Sequence, residues 1–182
     1  MGTQKNLQLQ INLGVRNLLS QTNTADGTML AQTSDVNNNV TCRRDEAGHV
    51  TTYQSNATNQ LTSITEGLVG DCISPVPTDA TRTTTYQYLS AYVNLLTMIQ
   101  GPSVVAGQIK QTLIQYTDPN HQTLPTVITQ SGFIPSGTPI SRSVNYGYNA
   151  AGQLTLIDGP RIDVNDVTTL EYYNCTTGAA MT

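Results

Sequence analysis

Residues 146–160, YGYNAAGQLTLIDGP, constrain this chain more than any other stretch, because their pattern recurs. Tyr146-Gly-Tyr148-Asn149-Ala-Ala-Gly152-Gln-Leu154-Thr-Leu-Ile157 aligns with Tyr53-Gln-Ser55-Asn56-Ala-Thr-Asn59-Gln-Leu61-Thr-Ser-Ile64. It aligns as well with Cys42-Arg-Arg44-Asp45-Glu-Ala-Gly48-His-Val50-Thr. Tyr86-Gln-Tyr88 and Leu96-Thr-Met-Ile99 fit once two residues are added in the turn, and Ile114-Gln-Tyr116-Thr-Asp118-Pro-Asn120 with Leu124 fits more loosely. A short unit repeated along a chain buries its apolar face only against its neighbours, so the architecture is one of stacked copies.

The unit itself reads as a β-hairpin. Residues two apart on a strand share a face, which places Tyr146 with Tyr148 and, on the return strand, Leu154 with Leu156. Asn149 is suited to accept from the backbone two residues on and so to start a turn, and Gly152 takes the left-handed position that closes a hairpin with a bulge. Asn59, in the equivalent place, is the next-best residue for positive φ. Tyr53, Asn56, Asn59, Leu61, Tyr146, Tyr148, Asn149, Gly152 and Leu154 are therefore the structural residues of the repeat.

Units of this kind fall near 17–40, 40–67, 83–102, 111–132 and 143–175, and no shift of composition divides the 182 residues into separate domains. The first is a hairpin turning at Ala25-Asp26-Gly27. The second is a three-strand meander with turns at residues 45–48 and 56–59. GLVGDCISPVPTDA, residues 67–80, is expected to be a loop because of its two prolines. SAYVNLLTMI, which has a passing resemblance to a short helix, is assigned to strand on its flanks. Thr, Val, Ile and Tyr favour strands, and the 14 Gly and 8 Pro punctuate them. The expected fold is all-β: consecutive antiparallel hairpins in a meander, curving or spiralling as part of a shell or solenoid.

Tyr-x-Tyr-Asn-x-x-Gly-x-Leu-Thr-x-Ile followed by Asp158-Gly-Pro resembles the YD repeats of RHS proteins, a family that includes bacterial toxin shells, components of insecticidal toxin complexes and, more distantly, teneurins. The resemblance covers roughly residues 17–175. It departs from the family where Asn149, Asn56 or Thr117 stand for the usual Asp, and where Cys42 and Ile114 replace the first tyrosine. No Asp-Pro-x-Gly core signature lies near the C-terminus, so no catalytic residue is carried over. What the resemblance implies is a structural, non-enzymatic segment of a longer shell wall, secreted or at the cell surface in its full-length form. Its partners would be further repeats or other copies of the chain, with an encapsulated toxin or a cell-surface glycan beyond them; a filament is one outcome of such stacking. The alternative is a carbohydrate- or protein-binding adhesion module, for which Tyr86, Tyr88, Tyr172 and Tyr173 are the candidate contacts.

The remaining signals are weak. With a net charge of −4 and eight basic residues scattered along the chain, nucleic acid is not an expected partner. No run approaches the ~18 apolar residues of a membrane-spanning helix, and the first residues lack the apolar core of a signal peptide. Neither a cofactor nor a metal is expected. Asp158, Asp163 and Asn165 do not follow the calcium-loop spacing, and His49 and His121 have no cysteine or histidine partner at zinc spacing. Asp118-Pro-Asn120-His121 carries an acid and an imidazole, but no motif supplies a nucleophile, and a turn is the expected role. The three cysteines, Cys42, Cys72 and Cys175, are expected to be small thiols, with a Cys42–Cys72 disulfide as the alternative in an oxidising compartment.

Overall fold

A computed structural model describes residues 7–11, 19–23, 29–92, 94–173 and 180–181, with side chains for 29–92 and 94–173. No described residue is helical. The chain divides into two compact units, Met1–Thr85 and Tyr86–Thr182.

In the first unit, β1 (Leu7–Ile11), β2 (Leu19–Asn23), β3 (Met29–Ser34), β4 (Val40–Arg44), β5 (His49–Ser55), β6 (Leu61–Gly70) and β7 (Pro75–Tyr88, ending inside the second unit) follow chain order. Each is antiparallel to the next. The second unit repeats the scheme with β8 (Leu96–Pro102), β9 (Ile109–Gln115), β10 (Val127–Phe133), β11 (Pro139–Tyr148), β12 (Leu154–Asp158) and β13 (Val167–Thr169). A short pair, β14 (Tyr172–Tyr173) and β15 (Ala180–Met181), follows. The all-β meander expected from the repeat is thus the observed fold. The turn at Ala25-Asp26-Gly27 and Cys175 lie outside the described residues.

One turn chemistry recurs at the hairpin tips. At Asp35, Asp45, Asn56 and Asn149 the backbone N–H donates to the carbonyl four residues on, and the N–H three residues on donates back to the first residue's carbonyl. That third residue has positive φ each time: Asn38 (68°), Gly48 (87°), Asn59 (62°) and Gly152 (76°). The side-chain oxygen of the first residue then closes the turn from inside. Asn149 Oδ1 accepts from Ala151 N at 3.1 Å and Gln153 N at 3.0 Å, while its Nδ2 donates to Gln153 Oε1 at 2.9 Å. Asn56 does the same with Thr58 N, Gln60 N and Gln60 Oε1, at 3.0, 2.9 and 2.7 Å. Asp35 clasps Asn37 and Asn39, and Asp45 clasps His49.

Three of these tips also share a bulge. Ser34↔Val40 is followed by Thr33↔Cys42, Ser55↔Leu61 by Gln54↔Ser63, and Tyr148↔Leu154 by Gly147↔Leu156. The extra residue is a threonine each time: Thr41, Thr62 and Thr155. Asp35–Thr41 is thus a further copy of the repeat, which the sequence conceals because Gln32 stands where Tyr53 and Tyr146 stand in the others.

Three expectations are corrected. Residues 67–80 are not a loop: β6 runs to Gly70 and β7 starts at Pro75, joined by a short turn in which Asp71 Oδ1 accepts from Ile73 N and Ser74 N, each at 2.8 Å. Pro75 and Pro77 are tolerated because, two apart, both nitrogens face away from β6, whose partners there are Gly70 and Leu68. Within SAYVNLLTMI, residues 90–92 and 94 belong to a turn closed by Leu89 N donating to Leu95 O at 2.8 Å, and the strand begins at Leu96. Finally, Cys42 and Cys72 are bonded to one another, with Cα atoms 5.7 Å apart and a sequence separation of 30. The spacing in sequence is uninformative here, because β5 and β6 intervene and bring the two residues together. In a chain-entropy account, closing such a loop stabilises by ~3–4 kcal/mol.

Burial is shallow. Among the residues whose side chains are described, Cys42, Val50 and Leu68 form the buried apolar cluster of the first unit, with Cys72 packed against them, and most other strand residues are half-buried. Turn closure therefore carries weight that a thick core would carry elsewhere. Replacing Asn56 by Ala strands two backbone donors and leaves the buried Gln60 Oε1 with Thr58 Oγ1 alone of its two side-chain donors, and is expected to cost about 2 kcal/mol in denaturant unfolding. Asn56→Asp, which keeps the acceptor that Asp35 and Asp45 use in the sister turns, should cost less than half of that.

Candidate functional site

In the second unit the strands β8 to β12 deliver three hairpin tips to one end: the turn ending at Leu95, the segment 116–126 and the tight turn 149–153. The middle one departs from the repeat. Where the other clasps need five residues, the chain between β9 and β10 spans residues 116–126. Inserted tips in repeat proteins gather on one side and are often where binding occurs.

The insert is folded around Asp118. Its Oδ1 accepts from Asn120 N at 2.9 Å, and its Oδ2 lies 2.8 Å from His121 Nδ1, which carries the proton because a carboxylate only accepts. This hydrogen bond from His121, then that from Asn120, holds the Asp118 carboxyl below the usual carboxylate range. The other edge of the imidazole rests on Gly152: a Cβ there would stand 3.3 Å from His121 Cδ2, 3.6 Å from His121 Nε2 and 3.6 Å from Leu124 Cδ1. The His121 and Tyr148 rings are tilted, with centroids 6.3 Å apart. Tyr92, from the preceding tip, donates its hydroxyl to Gln122 Oε1. Together Tyr92, Asn120, His121, Gln122, Leu124 and Gly152 line an open cleft of about 600 Å³. Its surface holds amides, a phenol and an imidazole; sequence reasoning did not single out Tyr92 or Gln122, although Gln122 directly follows the Asp118-Pro-Asn120-His121 stretch.

Tyrosines of the repeat seal neighbouring strands. Tyr116 donates to Leu96 O at 2.9 Å, Tyr148 to Pro125 O at 2.8 Å and Tyr172 to Leu154 O at 2.9 Å. Tyr116 and Tyr148 each reach a carbonyl near the start of the preceding strand, and Tyr172 reaches the first carbonyl of β12. Burial raises the Tyr116 and Tyr148 hydroxyl pKa values; at Tyr88 burial acts first and the neighbouring Tyr86 second. Tyr53, in the first unit, lies under the Arg43 guanidinium, 6.0 Å from ring centroid to Cζ.

Of the candidate binding tyrosines, two lie on β7 and two on β14. Tyr86 and Tyr88 are half-buried at the end of β7, Tyr172 has its hydroxyl on Leu154, and Tyr173 is 58% exposed beside Glu171, to which its hydroxyl donates. The carboxylates considered for calcium are engaged locally. Asp163 pairs with Arg161 at 3.0 Å, Asp166 Oδ2 accepts from Arg161 N at 3.0 Å, and Asp158 Oδ2 accepts from Asn145 Nδ2 at 3.2 Å. Among the described residues, no group of three or more His, Cys, Asp or Glu could hold a metal ion, and no helix is long and apolar enough to cross a membrane.

No protein-family model matches the chain, and no curated protein matches it.

Two outcomes follow for this end of the unit. Gly152→Ala is strained by its φ of 76° and crowds His121, whereas Gly137→Ala, at a φ of 88°, meets nothing within 4 Å. Both pay the left-handed cost of about 1–2 kcal/mol, and Gly152→Ala is expected to lose measurably more in thermal unfolding. The second outcome concerns pH. The Asp118, Asp35 and Asp45 carboxyls are depressed in the folded state by hydrogen bonds from His121, Asn39 and His49 respectively. Their contribution is therefore complete above the unfolded value of about 3.9 and is lost as pH falls through the folded values. Denaturant midpoints should decline below about pH 4, and Asp118→Asn should flatten part of that decline.

Proposed function

We propose that this chain is a structural, non-enzymatic repeat module that builds a wall by lateral stacking of β-hairpins, resembling the shells of RHS proteins. The recurring clasp at Asp35, Asp45, Asn56 and Asn149 is the observation that carries this reading. It fixes hairpin length and register by local chemistry alone, so that copies can be added without redesigning a core. Shallow burial and tyrosine hydroxyls spent on neighbouring carbonyls support the same reading. Its partners are then further repeats of the same polypeptide or other copies, meeting along a sheet edge. The last strand of the second unit's meander, β13, pairs with β12 along one edge and carries Val167, Thr168 and Thr169, all exposed. An encapsulated toxin would be the cargo of such a wall.

A second reading, adhesion through an exposed aromatic, rests on Tyr173 and its 58% exposure. Sedimentation velocity across a wide concentration range separates the two. A wall module is expected to associate, with Thr168→Lys on the outer edge suppressing association and leaving the circular dichroism spectrum unchanged. A chain that stays monomeric throughout, yet loses glycan or protein capture on Tyr173→Ala, would replace the first reading by the second.

A further inference from the structure

We infer that the Cys42–Cys72 bond is a redox latch: it holds the β6–β7 tip over β5, and thiols open it without dismantling the second unit. The strand order makes the case. Cys42 sits on β4, paired with Thr52 of β5, and Val50 of β5 is paired in turn with Leu68 of β6. The bond to Cys72, in the turn after Gly70, therefore skips β5 and closes over it. Beneath this crossing lies Val50, fully buried, with Cys42 at 2% and Leu68 at 5% exposure. The first unit's buried core is the set of side chains that the latch covers.

The tip is also built to move as a piece. Gly67 and Gly70 have φ of 74° and 100°, one on each side of Leu68-Val69. At Gly67 a Cβ would lie 2.3 Å from Ala80 O, so the backbone there passes its partner more closely than a side chain permits. Opposite Gly67 the register jumps from Glu66↔Arg82 to Leu68↔Pro77, which leaves residues 78–81 outside the ladder. Apart from the disulfide, the cross-link from the tip to β4 is the Arg44 guanidinium, which donates to Gly70 O at 2.6 Å. Ile73 and Val76 in the tip are 86% and 53% exposed.

The chemistry is directional. Cys42 is closed off within the sheet, while Cys72 is half-buried in a turn, so an incoming thiolate meets the Cys72 sulfur. A new S–S bond forms to Cys72, the Cys42–Cys72 bond breaks, and Cys42 leaves as a thiolate that takes a proton from water. A second thiol then displaces Cys72; two electrons have passed from the thiols, now joined as a disulfide, to the protein. This latch is independent of the wall reading, since it concerns closure within one unit.

Hydrogen exchange of the whole chain, oxidised and in excess dithiothreitol, tests it. Reduction is expected to speed exchange at least tenfold in His49–Ser55 and in residues 68–77, with β10 and β11 unchanged. Brief exposure to glutathione, quenched by alkylation and mapped by mass spectrometry, should give the first adduct on Cys72. The Cys42→Ala/Cys72→Ala double variant should reproduce the reduced exchange pattern; if it does not fold, the two states of the native chain still decide. Equal protection with and without reductant, loss of protection in β10 and β11 to the same degree, or a first adduct on Cys42 would each overturn the inference. So would finding both thiols free in chain produced under oxidising conditions.

Discussion

One oxygen atom at the head of the clasped hairpins, those at Asp35, Asp45, Asn56 and Asn149, organises this structure. An Asn or Asp side chain accepts backbone N–H groups two and four residues ahead, and in doing so determines where a strand ends, how tightly the chain reverses and where the return strand begins. The residue before the return strand must then adopt positive φ, which is why Gly or Asn stands there in every copy. Because register in a hairpin follows turn geometry, the clasp also decides which side chains share a face along the strands. Tyrosine positions, the threonine bulges and the pairing of leucines on the return strand are consequences of that one local closure.

Local closure matters more here than in a thick-cored domain. A sheet covered on neither side by helices leaves most of its residues half-buried, and area burial per residue is correspondingly small. The structure compensates with directional contacts. Buried or half-buried amides satisfy one another, as Asn56 with Gln60 and Asn149 with Gln153 do, and tyrosine hydroxyls cap carbonyls on the next strand. Neighbouring tips are tied as well: Asn39 of one turn donates to Asn59 Oδ1 of the next at 2.8 Å. Such contacts are individually modest, near 1 kcal/mol net, but they are geometrically exacting. They suit a molecule that must repeat one shape more than they suit one that must maximise stability.

The sequence disclosed the local part of this fold and withheld the non-local part. The turns at Asn56 and Asn149, the positive φ at Asn59 and Gly152, and the alternation of strand faces all depend on residues within a few positions of one another, so they were legible in advance. The copy at Asp35 was not, since its aromatic is Gln32 and only the Asp-x-x-Asn-Asn-Val-Thr clasp remains. Two prolines read as punctuation at 75 and 77, because whether a missing N–H matters depends on which side of the strand the partner lies, and that is a tertiary fact. The disulfide was open for the same reason: two strands, β5 and β6, lie between its ends in the chain. Of the cleft, Asp118 and His121 were visible as neighbours, whereas Tyr92 and Gln122 meet only because successive tips emerge at one end.

That cleft also shows how a repeat tolerates an exception. Segment 116–126 lacks the five-residue clasp, and yet the following tip at this end, residues 149–153, keeps its own, because the insert supplies a separate closure. Asp118 replaces the turn's internal acceptor, Thr117 and Thr126 join across the base of the segment through their hydroxyls at 2.7 Å, and Tyr148 caps Pro125 from the neighbouring strand. Gly152 then serves two masters: its φ closes the β11–β12 turn, and its missing side chain makes the space in which His121 lies. A change at this glycine therefore reaches both the regular turn and the irregular one, and it is at such shared positions, not within either turn alone, that a repeat chain is least free to vary.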